Sequence, residues 1–355
     1  RMDPENALMR IVHLLPEMDE GGVERHVLWL ATAQAAAGCD VLVVSAGGRL
    51  AESLAGREGG PKHLTLPVHQ KNPFVAARCA FRLASLVRRE GWDMIHAHSR
   101  VPACIAWWTA LLARVPWVVT CHALYSRNFG LFPYRKADGA ICVSETVREW
   151  MRPFLPPNAA VIPNGLPAPR ARWTPHAADG RPLRFCFIGR LTRIKGIADI
   201  VDAFCGLDAP GWSLDVVGDG PLLPELEERV GRSGLKDRIR FHGYREDTET
   251  FLLSCDCFLF PSRSEGAGLT LMTALAMGVP VLASDIPAVR EMITGGTLLV
   301  RPGDVEGWKK VLSGVVSRRH LSEVSPPARI WPTPEESAGR ILDFCERVVR
   351  SARKR

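Results

Sequence analysis

Several features that mark large protein classes are missing from this sequence. It has no pair of Cys-x-x-Cys motifs, which excludes the common zinc-ribbon and zinc-finger spacings. It has no D-x-D carboxylate pair for a divalent metal. No uninterrupted apolar run approaches the roughly 18 residues of a membrane span, and no secretory signal is read at the start. There is no long basic stripe, finger spacing or RNA-binding aromatic motif, so nucleic acid is not expected as a partner. The glycine motifs lack the G-x-G-x-x-G spacing, which disfavours a nicotinamide cofactor.

What is present reads as a globular chain of two domains, the usual division for 355 residues. Ten cysteines lie scattered through apolar runs, among them Cys39, Cys104, Cys142, Cys186 and Cys205. Reduced, buried thiols in a cytoplasmic protein are the expectation. The net charge is +7, of which residues 1–170 carry +5. That excess suits an anionic partner, such as a phosphate-bearing substrate or an acidic membrane surface, or serves solubility alone. Residues 1–8 precede Met9 and read as a tag remnant or a loose extension.

Along the chain, short apolar strands alternate with amphipathic helices. Strands are expected at Arg10–Leu15, Asp40–Ser45, Asp93–Ala97, Trp117–Thr120 and Gly139–Val143, with helices at 22–37, Phe74–Glu90 and Pro102–Ala113. Prolines then crowd residues 151–181, which reads as an interdomain linker. The alternation restarts at Leu183–Gly189 and continues through Ser213–Val217, Ile239–His242, Cys257–Phe260 and Val279–Ala283. The expected architecture is α/β, with two doubly wound Rossmann-like domains. Boundaries fall at 1–168 and 169–330, and residues 331–355 form a terminal helix that crosses back to the N-terminal domain. Ligands in such sheets bind at the carboxyl ends of strands, so the cleft between the domains is the expected site.

Four motifs sit at those carboxyl ends. Gly21-Gly22-Val23-Glu24 opens the first helix, where two glycines let an anion approach backbone N–H groups; a purely structural turn is the simpler alternative. Gly189-Arg190-Leu191-Thr192-Arg193-Ile194-Lys195-Gly196 follows a strand and places two cations, Arg190 and Lys195, where they can converge on a diphosphate. Ser264-Glu265-Gly266-Ala267-Gly268-Leu269 leads into a helix with exposed N–H groups, and Glu265 can accept bonds from vicinal hydroxyls. His122 follows the strand at Trp117–Thr120 and can position a sugar hydroxyl. His96 and His98 share that placement, with at least one expected to be structural.

Taken together, these loops resemble the retaining glycosyltransferases of family 4, which have the GT-B fold. The resemblance runs through Asp93-Met-Ile-His-Ala-His98, Ala140-Ile-Cys-Val-Ser144-Glu145, Val161-Ile-Pro-Asn164-Gly165, Val217-Gly-Asp-Gly-Pro221 and Phe260-Pro-Ser-Arg-Ser-Glu265-Gly266 as well as the motifs above. It includes relatives acting in lipopolysaccharide core and envelope glycan assembly. It implies transfer of a hexose-type sugar from a nucleotide-diphosphate donor, a UDP-sugar above all, with no metal and no cofactor. Gly21 and Gly22 would approach the donor phosphate, and Gly189, Arg190 and Lys195 would bind the diphosphate. His122 and Glu265 would contact the transferred sugar, with Gly266, Ala267, Gly268 and Leu269 helping through backbone. Gly243 and Tyr244 would hold the base. Glu24, His98, Tyr125 and Arg127 are candidates for a glycan or lipid-linked acceptor.

One position departs from the family pattern. A second glutamate, eight residues after the first, usually grips the ribose; here that position is Thr273. Weaker donor binding, a substitute ribose contact, or a sugar-nucleotide-binding protein without transferase activity are the consequences to separate. A nucleotide-sugar epimerase is the other enzymatic alternative. On the acceptor side, Tyr125–Lys136 mixes aromatics with Arg127, Arg135 and Lys136, and the helix from Phe74 carries Arg78, Arg82, Arg88 and Arg89 beside Phe74 and Phe81. Both suit a peripheral contact with an anionic inner membrane surface, although a solvated basic face explains the helix equally well.

Overall fold

The computed structural model describes residues 9–55, 59–176, 180–293, 297–318, 321 and 329–354. The reading of residues 1–8 lies outside them. Two compact units result. One spans Arg1–Pro167 together with Pro332–Arg355, and the other spans Ala168–Trp331.

In the first unit the elements run β1 (Arg10–Leu14), α1 (Gly22–Ala36), β2 (Asp40–Ser45), α2 (Arg49–Ala55), β3 (Lys62–Thr65), α3 (Pro73–Glu90), β4 (Met94–Ala97), α4 (Arg100–Ala113), β5 (Trp117–Cys121), β6 (Gly139–Cys142), α5 (Glu145–Met151) and β7 (Ala159–Val161). The sheet order is β3-β2-β1-β4-β5-β6-β7, and every pair is parallel. The order reverses between β1 and β4, which puts the loops after those strands side by side at the usual ligand position.

Part of the expected linker is corrected here. Residues 159–161 form the edge strand β7, with Ala140 opposite Ala159 and Cys142 opposite Val161. A three-residue strand paired on one side leaves little periodicity to read, and the flanking prolines hide it. Two further elements, α2 and β3, carry no clear sequence signal; β3 is a half-exposed edge strand.

The second unit runs β8 (Leu183–Ile188), α6 (Ile197–Cys205), β9 (Trp212–Val217), α7 (Leu223–Arg232), β10 (Ile239–Phe241), α8 (Thr248–Ser254), β11 (Cys257–Phe260), α9 (Leu269–Met277), β12 (Val281–Ser284), α10 (Pro287–Met292), β13 (Leu299–Val300) and α11 (Val305–Arg318). Its sheet order is β10-β9-β8-β11-β12-β13, again parallel throughout. Here the reversal falls between β8 and β11. Phe185, Phe204, Trp212 and Trp308 anchor its core, all within a few per cent of full burial.

The terminal helix, α12 (Pro334–Ala352), belongs to the first unit. Its start is fixed by a capping box. The Thr333 hydroxyl accepts from the Glu336 N–H at 3.2 Å, and the Glu336 carboxylate accepts from the Thr333 N–H at 2.9 Å. Ile341, Phe344, Cys345 and Val348 then pack on Ile11, Met94, Val118 and Ile141 of the sheet. Full burial of each large side chain is worth about 1.5–3 kcal/mol. Gly139 makes this approach possible, because a Cβ there would lie 2.8 Å from the Phe344 ring.

All ten cysteines are free thiols, and seven are buried. Among the described residues no helix is long and apolar enough to cross a membrane.

Candidate functional site

In the second unit, the loops after β8 and β11 lie side by side because those strands are neighbours. They are locked together by close backbone approach. Gly196 has a left-handed φ of 68°, and a Cβ there would lie 2.0 Å from the Pro261 carbonyl oxygen. The loop after β9 closes from the other side: a Cβ on Gly218, at φ 132°, would meet the Gly189 carbonyl oxygen at 2.0 Å. Only glycine fits either position. The Arg263 N–H donates to the Ile194 carbonyl at 2.8 Å, and its guanidinium pairs with Asp199 on α6 at 2.6 Å.

That frame brings two of the expected residues into contact. The Lys195 ammonium forms an ion pair with the Glu265 carboxylate, and the Ser262 hydroxyl donates to the same carboxylate oxygen at 2.8 Å. Glu265 is nearly buried and Lys195 partly so. An ammonium has three donors, so Lys195 keeps two for an anionic ligand. Arg190 stands exposed on the same loop, without a side-chain hydrogen bond or ion pair among the described residues. Gly268, at φ 57°, caps α9, and no side chain hydrogen-bonds to the helix start. The N–H groups of the first turn, beginning at Leu269, therefore lack intrahelical partners, the kind of position where an anion or hydroxyl can bind. Gly266 is buried, and Ala267 is half-buried beside it. Gly243 takes a left-handed φ of 63°, and its carbonyl accepts from the Gly218 N–H at 2.7 Å, which places the following Tyr244 next to the β9 loop.

Thr273 sits on α9, and its hydroxyl donates to the Leu269 carbonyl one turn back at 3.0 Å. Its donor is thus already committed to the helix. Thr273→Glu is expected to tighten nucleotide-sugar binding about tenfold or more, the worth of one charged hydrogen bond. Calorimetric titration checks this, and unchanged affinity would show that the ribose is held elsewhere.

In the first unit, Gly21 is the N-cap of α1, and the Glu24 carboxylate folds back over it, so that a Cβ there would push that carboxylate aside. Gly22 and Gly21 are exposed. Tyr125 packs edge-on against Tyr134 at 6.0 Å, and burial raises its phenol above the usual range. Arg127 donates to the Trp150 carbonyl at 3.1 Å and stacks over its ring at 4.2 Å.

His122 lies at the end of a row of buried histidines. The His13 Nε2 is 2.7 Å from the Gln34 carboxamide oxygen, and His13 Nδ1 is 2.9 Å from His98 Nε2. His98 Nδ1 is 3.1 Å from His122 Nε2. His96 stacks on His98 and reaches the Thr120 hydroxyl at 2.7 Å. His26, on α1, meets the edge of His122 with ring centres 5.1 Å apart. Two triads, His13/His96/His98 and His26/His98/His122, each hold ring nitrogens within 4.8 Å of one another. Burial lowers every one of these rings, His13 to about 4 and His26 to about 3, so all are neutral at pH 7. His98, expected at the acceptor, lies in the middle of this row. Its ring is fully buried and both nitrogens are engaged with other histidines.

Sequence reasoning missed His13, His26 and Gln34 here, and Ser262, Asp199 and Arg263 in the second unit. A histidine inside an otherwise apolar strand was the available signal for His13, since a buried polar ring requires partners.

Two family models match the chain. Residues 20–169 match the model for Glycosyltransferase Family 4, and residues 182–317 match that for Glycosyl transferases group 1. The phosphatidyl-myo-inositol mannosyltransferase of Mycobacterium leprae is 29% identical over 330 residues, covering 85% of this chain and 86% of the relative. The lipopolysaccharide core biosynthesis mannosyltransferase LpsB of Rhizobium meliloti is 42% identical over 119 residues, covering 32% of this chain and 34% of the relative. Among solved structures, Anabaena HepE in complex with UDP and glucose aligns with a TM-score of 0.73 at 17% identity, covering 98% of this chain and 100% of that one. The two sheets, the locked loops around Lys195 and Glu265, and both family matches lead to one assignment: the chain belongs to the family 4 glycosyltransferases, with the GT-B fold.

Proposed function

We propose that this glycosyltransferase moves a hexose from a nucleotide-diphosphate donor, a UDP-sugar first, to a cell-envelope glycan or lipid-linked acceptor, with retention at the anomeric carbon. The observation that carries this reading is the Lys195–Glu265 pair, with Arg190 on the same loop as Lys195. Arg190 and Lys195 meet the negative charge that grows on the departing diphosphate, so the reading calls for no metal. Glu265 accepts from hydroxyls of the transferred sugar, and His122 holds another. In a front-face step, the bond from the anomeric carbon to the phosphate oxygen breaks as the acceptor oxygen bonds to the same face. The acceptor proton passes to the departing phosphate oxygen. The named relatives, one acting on phosphatidyl-myo-inositol and one in lipopolysaccharide core synthesis, support an envelope acceptor.

A thermal-shift screen over UDP-, GDP- and ADP-sugars tests the donor. A bound donor raises apparent stability by mass action, and the leading compound is expected to be a UDP-hexose. A shift with GDP-mannose alone would change the base and keep the reaction class. Donor turnover without any acceptor would instead favour an epimerase or hydrolase.

The same reading places the protein at an anionic membrane surface. Phe129 is 86% exposed and stacks flat on Phe132 at 5.6 Å, with the Lys136 ammonium over the second ring. Arg135, Arg148 and Arg152 line one open cavity nearby in sequence. On α3, Phe74 and Phe81 are exposed, the second between Arg78 and Arg82 in sequence. Co-sedimentation with phosphatidylglycerol vesicles at low salt is expected, and equal recovery with neutral vesicles would count against an electrostatic membrane contact.

A further inference from the structure

We propose that Gln34, His13 and His98 are positioning residues that fix the tautomer of His122, keeping its proton on Nε2 and leaving Nδ1 as a bare hydrogen-bond acceptor for a sugar hydroxyl. The proposal deepens the functional reading above and rests on it for the sugar; the tautomer itself does not depend on it.

The row crosses three neighbouring strands. His13 is on β1, His98 follows β4 and His122 follows β5, and the sheet order places these strands in that sequence. Gln34 closes the inner end from α1. A neutral imidazole has one N–H and one bare nitrogen, so each ring in a hydrogen-bonded row passes its polarity to the next. The Gln34 oxygen can only accept. His13 Nε2 therefore carries a hydrogen, and His13 Nδ1 is bare. His98 Nε2 must then donate to it, which leaves His98 Nδ1 bare. His122 Nε2 donates in turn, and its Nδ1 is the remaining lone pair. The direction of the whole row is set by one carboxamide.

Burial supports the argument. His13 and His98 are completely inaccessible, as are His96 and Gln34, whereas His122 is 8% exposed. The row thus opens at one end only, at the ring assigned to the sugar. A protonated ring would break the polarity, and burial keeps all five neutral. A metal ion would need the same nitrogens turned inward as lone pairs, yet those of His13, His98 and His122 are spent on one another.

Protein labelled with 15N-histidine gives the tautomers directly at pH 7.5, from two-bond nitrogen–proton correlations assigned through the His122→Ala spectrum. His13, His98 and His122 are expected as Nε2–H forms. In Gln34→Leu the fixed acceptor is gone, and His122 is expected to show a mixture of both tautomers. That variant is expected to lose about tenfold in kcat with little change in KM, the loss of one oriented hydrogen bond. Gln34→Glu, which still presents an accepting oxygen, is expected to recover most of that loss. An Nδ1–H form of His122 in the native protein, an unchanged His122 tautomer in Gln34→Leu, or stoichiometric zinc on elemental analysis would overturn the proposal. A protein that turns over no nucleotide sugar but shows the expected spectra would overturn the functional reading and leave the relay standing. The native spectrum remains decisive if Gln34→Leu does not fold.

Discussion

Acidification from pH 7.5 to pH 5 is expected to destabilise the first unit by several kcal/mol. An imidazole in an unfolded chain titrates near 6.5. In the fold, His13 is lowered to about 4, His26 to about 3, and His96, His98 and His122 are lowered as well, each chiefly by burial. Above pH 6.5 both states hold these rings neutral, and they add no pH dependence. Below it the unfolded chain binds protons that the folded one refuses, so stability falls as pH falls. The slope is about 1.4 kcal/mol per pH unit for each ring. At pH 5 that amounts to about 2 kcal/mol each for His13 and His26, against a usual total of 5–15 kcal/mol, and His96, His98 and His122 act in the same direction. Circular dichroism and tryptophan fluorescence across this range check it. A native signal and an unshifted melting temperature at pH 5 would mean that the rings are solvated or charged in the folded state.

The second large effect is catalytic. Lys195→Ala is expected to lower kcat by about 10²–10³, the usual cost of removing one preorganised donor to a developing oxyanion. Stability should barely move, because a partly exposed ion pair contributes about 1 kcal/mol or less. Glu265 keeps its bond from Ser262 in that variant, so the sugar contact persists and KM for the donor should change less than kcat. Steady-state kinetics with the donor found by the thermal-shift screen, alongside melting curves, test both halves. Near-normal turnover would remove Lys195 from the diphosphate and leave it a structural partner of Glu265.

How much of this was legible in the sequence differs between the two units. In the second, the cationic loop and the Glu265 loop stand out because each follows an apolar strand and precedes a helix. Their contact was not legible, since it depends on β8 lying beside β11, and strand order is not written in periodicity along the chain. The same holds for Asp199 and Arg263, which are 64 positions apart. In the first unit, His122 was legible as a residue at a strand end. Its supporting row was not, because His13 reads as an ordinary strand position and meets His98 only 85 positions further along the chain. Short edge strands escaped for a different reason: β3 and β7 pair on one side only and bury little, so no alternation develops.

The return of the terminal helix to the first unit has a consequence for biogenesis. The chain leaves that unit at Pro167 and re-enters it at Pro332, where the Leu166 N–H donates to the Pro332 carbonyl at 2.9 Å. The sequence of the second unit is contiguous; that of the first is interrupted. During synthesis the sheet at Ile11, Met94 and Val118 must wait for Ile341, Phe344 and Val348 before its apolar face is covered. At ordinary synthesis rates that wait is on the order of ten seconds or more. The second unit can finish folding meanwhile, so the part made first is the part completed last.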